Sequence, residues 1–242
     1  MKASRQEKEK NVFNELDSIF LVAHQLKAPL AKIKWTLRML IEEDLGAINE
    51  EQKEFLENAY QASERIINLV NDLLDISRIS KGNEYLDLKK VDLLDLVKKE
   101  VDFYKKEGEK KNISFIFKKP LNKEKFIVKI DFEKIRIVID NLIRNAIKYT
   151  PKGGKIVISL KKRKKEIEFS IKDNGIGIPQ DQQDKIFRKF FRADNGKKID
   201  TTGSGLGLYI AKSIIEAHNG RIWFESEENK GTTFYFTLPI KS

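Results

Sequence analysis

The sequence predicts an α+β chain: a helical hairpin that dimerises into a four-helix bundle, followed by an α/β sandwich with a mixed sheet. Three observations carry this. Two long apolar stripes at helical spacing occupy the first third. From about residue 86 strand-like and helical runs follow one another. Between them Gly82-Asn83 breaks the helical pattern, which sets the expected parts at 1–82 and 83–242.

In the first stripe, Leu16, Ile19, Ala23, Leu26, Leu30, Ile33, Leu37 and Leu40 alternate three- and four-residue steps and so line one side of a helix. Gly46 supplies a turn. A second stripe runs through Phe55, Ala59, Ala62, Ile66, Leu69, Leu73 and Ile76, widened by Ile67, Val70 and Leu74. Asn49 with Gln52 matches an N-cap and its reciprocal partner. Two helices cannot bury stripes this wide between themselves; a second copy of the hairpin is expected to cover them, the alternative being the rest of the chain, which stripes this long and regular argue against. His24 follows the core position Ala23 and projects from the flank. Pro29, inside the helical pattern, leaves the Gln25 carbonyl without its usual donor and predicts a bend one turn after the imidazole.

In the remainder, helices are expected over 93–106, 132–149 and 206–218. Strands are expected over 113–117, 126–130, 155–160, 167–171, 221–225 and 232–238, with a long loop before the last helix. Clustered helices and mostly antiparallel strands argue against a parallel doubly wound sheet.

Composition narrows the class. The 242 residues carry a net charge of +10 and no cysteine, which excludes disulfides and thiolate chemistry. No apolar run approaches the roughly 20 residues of a membrane-spanning helix. The densest basic cluster, Lys161 to Lys165, sits between two strand patterns, as a solvated hairpin end would. Neither zinc-finger spacing nor an aromatic-rich RNA-binding strand accompanies it, so nucleic acid is not an expected partner.

Three segments carry chemistry. Asn141, Asn145 and Lys148 recur at four- and three-residue steps, so one helical face holds two amides and an ammonium. Amide oxygens can ligate Mg²⁺ and lysine can neutralise phosphate, although the same face would serve as a plain polar surface. Asp173-Asn174-Gly175-Ile176-Gly177-Ile178 follows a strand pattern. Its carboxylate can accept from an exocyclic amine and its glycines admit a planar ring, or the segment forms an ordinary turn. Gly203-Ser204-Gly205-Leu206-Gly207 opens a helix whose free N–H groups suit phosphate. The polar stretch before it, from Ala193, is no strand, which argues against a dinucleotide fingerprint.

In this order the three segments resemble the N, G1 and G2 boxes of the histidine-kinase ATP-binding domain. The stretch Ile186 to Arg192 resembles its F box, and Phe20 to Leu30 resembles the phospho-acceptor box of dimeric sensor histidine kinases. The resemblance implies ATP and Mg²⁺ as cofactors, a homodimer, and autophosphorylation of His24 with relay to an aspartate of a separate response regulator. It implies Mg²⁺ on Asn145, phosphates near Asn141 and Lys148, adenine on Tyr149 and its amine on Asp173. Gly175, Gly177 and Ile178 would shape the base pocket, and Arg192 would reach the terminal phosphate. Ser204, Gly205, Leu206 and Gly207 would belong to a phosphate-covering lid, anchored by Phe187 and Phe190. His218 would be a structural helix end. A cytoplasmic location is implied, with full-length members usually carrying a sensory part upstream.

Two positions depart from the family pattern. Gln25 stands where a carboxylate usually follows the histidine; its amide can orient the imidazole but cannot act as a base at neutral pH. Ala28 stands where a polar residue usually orients water for dephosphorylation, which puts phosphatase activity in doubt. Two other functions use the same boxes: an ATPase of the same superfamily, with Asp140 as the nearest carboxylate, and a catalytically silent nucleotide-binding scaffold.

Overall fold

The computed structural model describes residues 22–23, 25–80, 86–118, 125–200 and 203–240, with the backbone alone at 73 and 75–80. The chain divides into two compact units, Met1–Gly82 with Thr202–Ser204 and Asn83–Thr201 with Gly205–Ser242.

In the first unit a helix, α1, covers 25–41 and continues through Pro29 without a break; residues 22 and 23 are helical as well. A turn closes at Gly46, whose φ of 121° lies where glycine is the natural occupant. Helix α2 spans Glu50–Ser80. Its start is the expected reciprocal cap: the Gln52 N–H donates to Asn49 Oδ1 at 2.8 Å and the Asn49 N–H to Gln52 Oε1 at 2.9 Å. Ala23, Leu30, Val70 and Leu74 form the buried core, with Ile67 packed against it. The residues expected only to widen the second stripe thus make the contact within the hairpin. Phe55, Ile66 and Leu69, expected to lead it, are 70%, 46% and 41% exposed, and Leu26 and Ile33 are exposed on α1.

The second unit begins with strand β1 (Leu88–Asp92) and helix α3 (Leu93–Lys110). Strands β2 (Ser114–Lys118) and β3 (Ile127–Asp131) precede helix α4 (Phe132–Tyr149). The hairpin β4 (Lys155–Lys162) and β5 (Glu166–Asp173) follows, then a 3₁₀ helix over Gln180–Lys185. Helices α5 (Asp194–Ile199) and α6 (Gly207–Ala217) lead to β6 (Arg221–Glu227) and β7 (Gly231–Pro239). β2, β4, β5, β7 and β6, in that spatial order, form a five-stranded sheet, mixed because β2 pairs with β4 in parallel and the other pairs are antiparallel. β1 and β3 form a separate antiparallel ribbon.

Alternation along the strands separates the two faces of the sheet. Ile156, Ile158, Leu160, Phe169, Ile171, Phe234 and Phe236 are buried, whereas Ser159, Ser170 and Tyr235 point to the other face. Phe169 and Phe236 stack at 4.7 Å across β5 and β7. Against them pack α3, α4 and α6, whose apolar stripes include Val97, Leu142, Ile143, Ile210 and Ile214. The basic cluster caps the β4–β5 turn, where Arg163 holds Glu168 at 3.1 Å.

Both ribbon strands end in an aspartate that starts the next helix. Asp92 accepts from the Leu94 N–H and Asp131 from the Lys134 N–H. Strand β1 was not foreseen from the sequence, because alternation over Leu88–Asp92 is masked by two consecutive lysines. The long loop expected before the last helix also contains two short helices. Gln182 brackets Asp194 at 2.9 Å through both side-chain amide and N–H bonds, and Asp194 pairs with Lys197 at 2.8 Å, so contacts across the segment stabilise what local propensity does not.

Candidate functional site

The site grows from α4. Its Leu142, Ile143, Ala146 and Ile147 are buried against the sheet, which turns Asn141, Asn145 and Lys148 together onto the opposite, half-buried face. Among the described residues nothing hydrogen-bonds to the side-chain amides of Asn141 or Asn145. The start of α6 lies beside them: a side chain at Gly207 would come within 3.1 Å of Asn141 Oδ1. Leu206, at the N-cap of α6, provides no side-chain cap for the first turn and is itself buried in the core. Leu206 therefore offers a backbone, not a side chain, to the pocket.

The far end of α4 is tied to the loop after β5. The Ile176 N–H donates to the Tyr149 carbonyl at 3.2 Å. Gly175 passes so close that an added Cβ would sit 2.3 Å from that same oxygen, so no larger residue fits. At Gly177 a φ of 64° and a Cβ position 2.0 Å from the Glu227 carbonyl impose glycine twice over. Ile178 is fixed by its N–H, which donates to Ser226 Oγ at 2.9 Å, and by its carbonyl, which accepts from Gln183.

Asp173 ends β5 with a side chain only 6% exposed. Its Oδ1 accepts from the Gly175 N–H at 2.8 Å and the Thr232 N–H at 3.2 Å. Burial raises its pKa above the ordinary carboxylate value, against the opposing pull of those two N–H donors. One oxygen is thus committed to the protein, and the carboxylate as a whole is oriented by the backbone.

Residues that sequence reasoning missed close the site. Asn195, in α5, donates to the Gly177 carbonyl at 3.0 Å, while its own side-chain oxygen is buried without a partner among the described residues. Gly196 lies against the Tyr149 ring, within 3.3 Å of an added Cβ. Asp200 holds Lys148 at 2.5 Å and Arg192 at 3.4 Å, so the two cations expected near the phosphates meet at one carboxylate. The Asn-Gly pair inside a polar stretch was the only local sign of this segment.

Other expectations divide. Arg188, in the same stretch as Arg192, is exposed and paired with Asp184 at 3.2 Å. Phe187 lies 5.9 Å from the Phe224 ring, whereas Phe190 is 64% exposed. Gly205 has a φ of 74° and packs against the Phe190 backbone. Ser204 is grouped with the first unit. There Gln25 is an exposed residue of α1, and His24 lies outside the described residues.

Asp140, the nearest carboxylate for an ATPase reading, faces α3 instead. It accepts from the Tyr104 hydroxyl and pairs with Arg144 at 3.0 Å. Burial, then the Asp140 hydrogen bond, raises the Tyr104 pKa, so the phenol keeps its proton and keeps Asp140 occupied. His218 is equally committed: Nε2 accepts from the Asp131 N–H at 3.0 Å, which leaves Nδ1 to donate to the Ile214 carbonyl at 2.8 Å.

No cluster of three histidine, cysteine or carboxylate side chains exists among the described residues. The Asn145 amide oxygen, with phosphate oxygens, could supply donors of the kind Mg²⁺ takes.

Comparison with known proteins agrees with this geometry. Residues 130–242 match the family model for histidine kinase-, DNA gyrase B- and HSP90-like ATPases, and residues 21–82 match that of the His Kinase A (phospho-acceptor) domain. The catalytic domain of the histidine kinase ThkA is 34% identical, with a TM-score of 0.56, over 63% of this chain and 95% of that one. The chain belongs to the sensor histidine kinases. Sensor histidine kinase WalK of Bacillus subtilis (strain 168) is 37% identical over 224 residues, 91% of this chain and 36% of that protein. A WalK of Staphylococcus aureus is 36% identical over 91% of this chain and 52% of its own length. This kinase chain thus spans between a third and about half of those curated relatives. The likeness to full-length ShkA, at 22% identity and a TM-score of 0.71, concerns the fold. No described helix of this histidine kinase is long and apolar enough to cross a membrane.

Proposed function

We propose that this chain binds ATP with Mg²⁺ in the pocket of the second unit, transfers the γ-phosphoryl group to His24, and relays it to an aspartate of a response regulator. The observation that carries the reading is the convergence, on one rim, of Asn141, Asn145, Lys148, Tyr149, the Asp173–Ile178 loop and the start of α6. Residues 1–82 serve as the dimerisation and phospho-acceptor domain, and 83–242 as the catalytic domain.

Each residue has a chemical task. Asp173 accepts a hydrogen bond from the adenine amine while Gly175 and Gly177 keep the floor of the base pocket thin. Asn145 holds the cation, which shields the phosphate charge and orients the chain of phosphates. Lys148, Arg192 and the N-terminal turn of α6 supply positive potential where charge develops. A neutral imidazole already owns the lone pair it needs. That nitrogen attacks the γ-phosphorus in line, the bond to the bridging oxygen breaks, and ADP leaves. Gln25 accepts from the other ring N–H and orients the ring, without taking its proton.

The homodimer is supported by the apolar residues that a single hairpin leaves outside, Leu26, Ile33, Phe55, Ile66 and Leu69. Ala28 argues for slow dephosphorylation of the regulator. Mixing the ATP-loaded chain with a purified receiver domain tests the relay. Label should leave this chain and appear on the receiver aspartate; free phosphate released at the same rate with or without His24 would contradict it.

A further inference from the structure

Lys148 and Arg192 are not waiting unsatisfied at the phosphate end of the pocket. Asp200, just after α5, places its carboxylate 2.5 Å from Lys148 Nζ and 3.4 Å from the Arg192 guanidinium. Arg192 also donates to the Asp200 main-chain carbonyl. The carboxylate is 11% exposed, the Arg192 side chain 15% and the Lys148 side chain 34%, so the pairing is sheltered on its Asp200 and Arg192 side and partly open at Lys148. Lys148 comes from α4, whose other face is locked in the core, whereas Asp200 directly follows a helix of only six residues.

A carboxylate and a phosphate ask the same thing of a lysine and an arginine: anionic oxygens within about 3 Å of an N–H. Two such anions cannot share the cradle, because like charges at this distance repel strongly in a partly buried place. The α5 segment has a second attachment that the exchange leaves intact, through Asn195 to the Gly177 carbonyl and Gly196 against Tyr149.

We infer that Asp200 is a built-in competitor for the nucleotide's phosphates: it fills the Lys148–Arg192 cradle and must be displaced before a phosphate chain binds there. It sets affinity according to phosphate charge, because a ligand without phosphates has no reason to displace it. This rests on the proposal that Lys148 and Arg192 meet the phosphates of ATP.

Calorimetric titration of the full chain with ATP, ADP and adenosine, each with Mg²⁺, tests it. Asp200→Asn should bind ATP about three- to tenfold more tightly than wild type, the size of a partly exposed ion pair, and ADP should gain as well. Adenosine affinity should not change. Asp200→Ser should reproduce the gain, Asp200→Glu should retain wild-type affinity, and Asp181→Asn, which removes an exposed carboxylate outside the α5 segment, should have no effect. Unchanged or weaker ATP binding in Asp200→Asn and Asp200→Ser would overturn the inference, since Asp200 would then be positioning the cations. An equal gain for adenosine would also overturn it. A wild-type chain that binds adenosine but gains nothing from added phosphates would overturn both this inference and the reading beneath it.

Discussion

At the scale of single residues, burial and the role proposed for Asp173 pull in opposite directions. Burial raises its folded-state pKa, so ionisation costs stability at neutral pH, and that cost disappears as pH falls through the raised value. Reading an adenine amine requires the ionised form. Nucleotide affinity should therefore fall on acidification at a higher pH than an ordinary surface carboxylate would give. Asp173→Asn keeps an oxygen for the Gly175 and Thr232 N–H groups, so its melting temperature at pH 7 should equal or exceed that of wild type and converge with it in acid. Its ATP affinity should drop by about ten- to a hundredfold, the cost of an unmet polar contact. Gln25 makes a separate prediction: Gln25→Glu should autophosphorylate faster, and equal initial rates would remove the argument from proton handling. The spacing of Asn141, Asn145 and Lys148 was readable because helical periodicity is local. Thr232, Ser226 and Asp200 were not, because each reaches the site from a distant stretch and carries no pattern of its own.

At the scale of elements, local signals worked where chain and packing agree. Helix α4 begins and ends where its apolar period begins and ends, between the Asp131 cap and Thr150, whose hydroxyl donates to the Ala146 carbonyl at 2.6 Å. The Asn49–Gln52 cap was equally visible, since both partners lie within one turn. Asn49→Ala should destabilise the helical unit by about 1 kcal/mol, measured by denaturant titration. A loss confined to that unit is expected, because Asn49 has no role in the sheet. Helix α5 escaped notice for the opposite reason. Its six residues have poor intrinsic propensity and are held by Gln182, a contact twelve residues away in sequence. Helix α1 continues through the bend expected at Pro29, consistent with proline removing one donor without ending a helix supported on one side by packing.

At the scale of the whole molecule, the proposed reaction assigns one half to each of the two units. The sandwich unit buries its main apolar surfaces between sheet and helices, although Phe103 and Phe190 stay exposed. The helical unit does not, and its exposed Leu26, Ile33, Phe55, Ile66 and Leu69 mark the surface a second copy would cover. Leu69→Asp should shift the chain from dimer to monomer in sedimentation experiments while leaving ATP binding unchanged; a wild-type monomer would contradict the bundle. The stripes were readable from their period, but which members face the partner helix was not. That depends on the rotation of α2, which places Val70 and Leu74 inside instead of Phe55 and Leu69. The most direct measurement is incubation with γ-labelled ATP and Mg²⁺, comparing wild type with His24→Ala. Acid-labile, base-stable label on wild type and none on His24→Ala is the predicted result. Equal labelling of the two, or ATP turnover with no labelled protein in either, would contradict the assignment of His24 as phospho-acceptor.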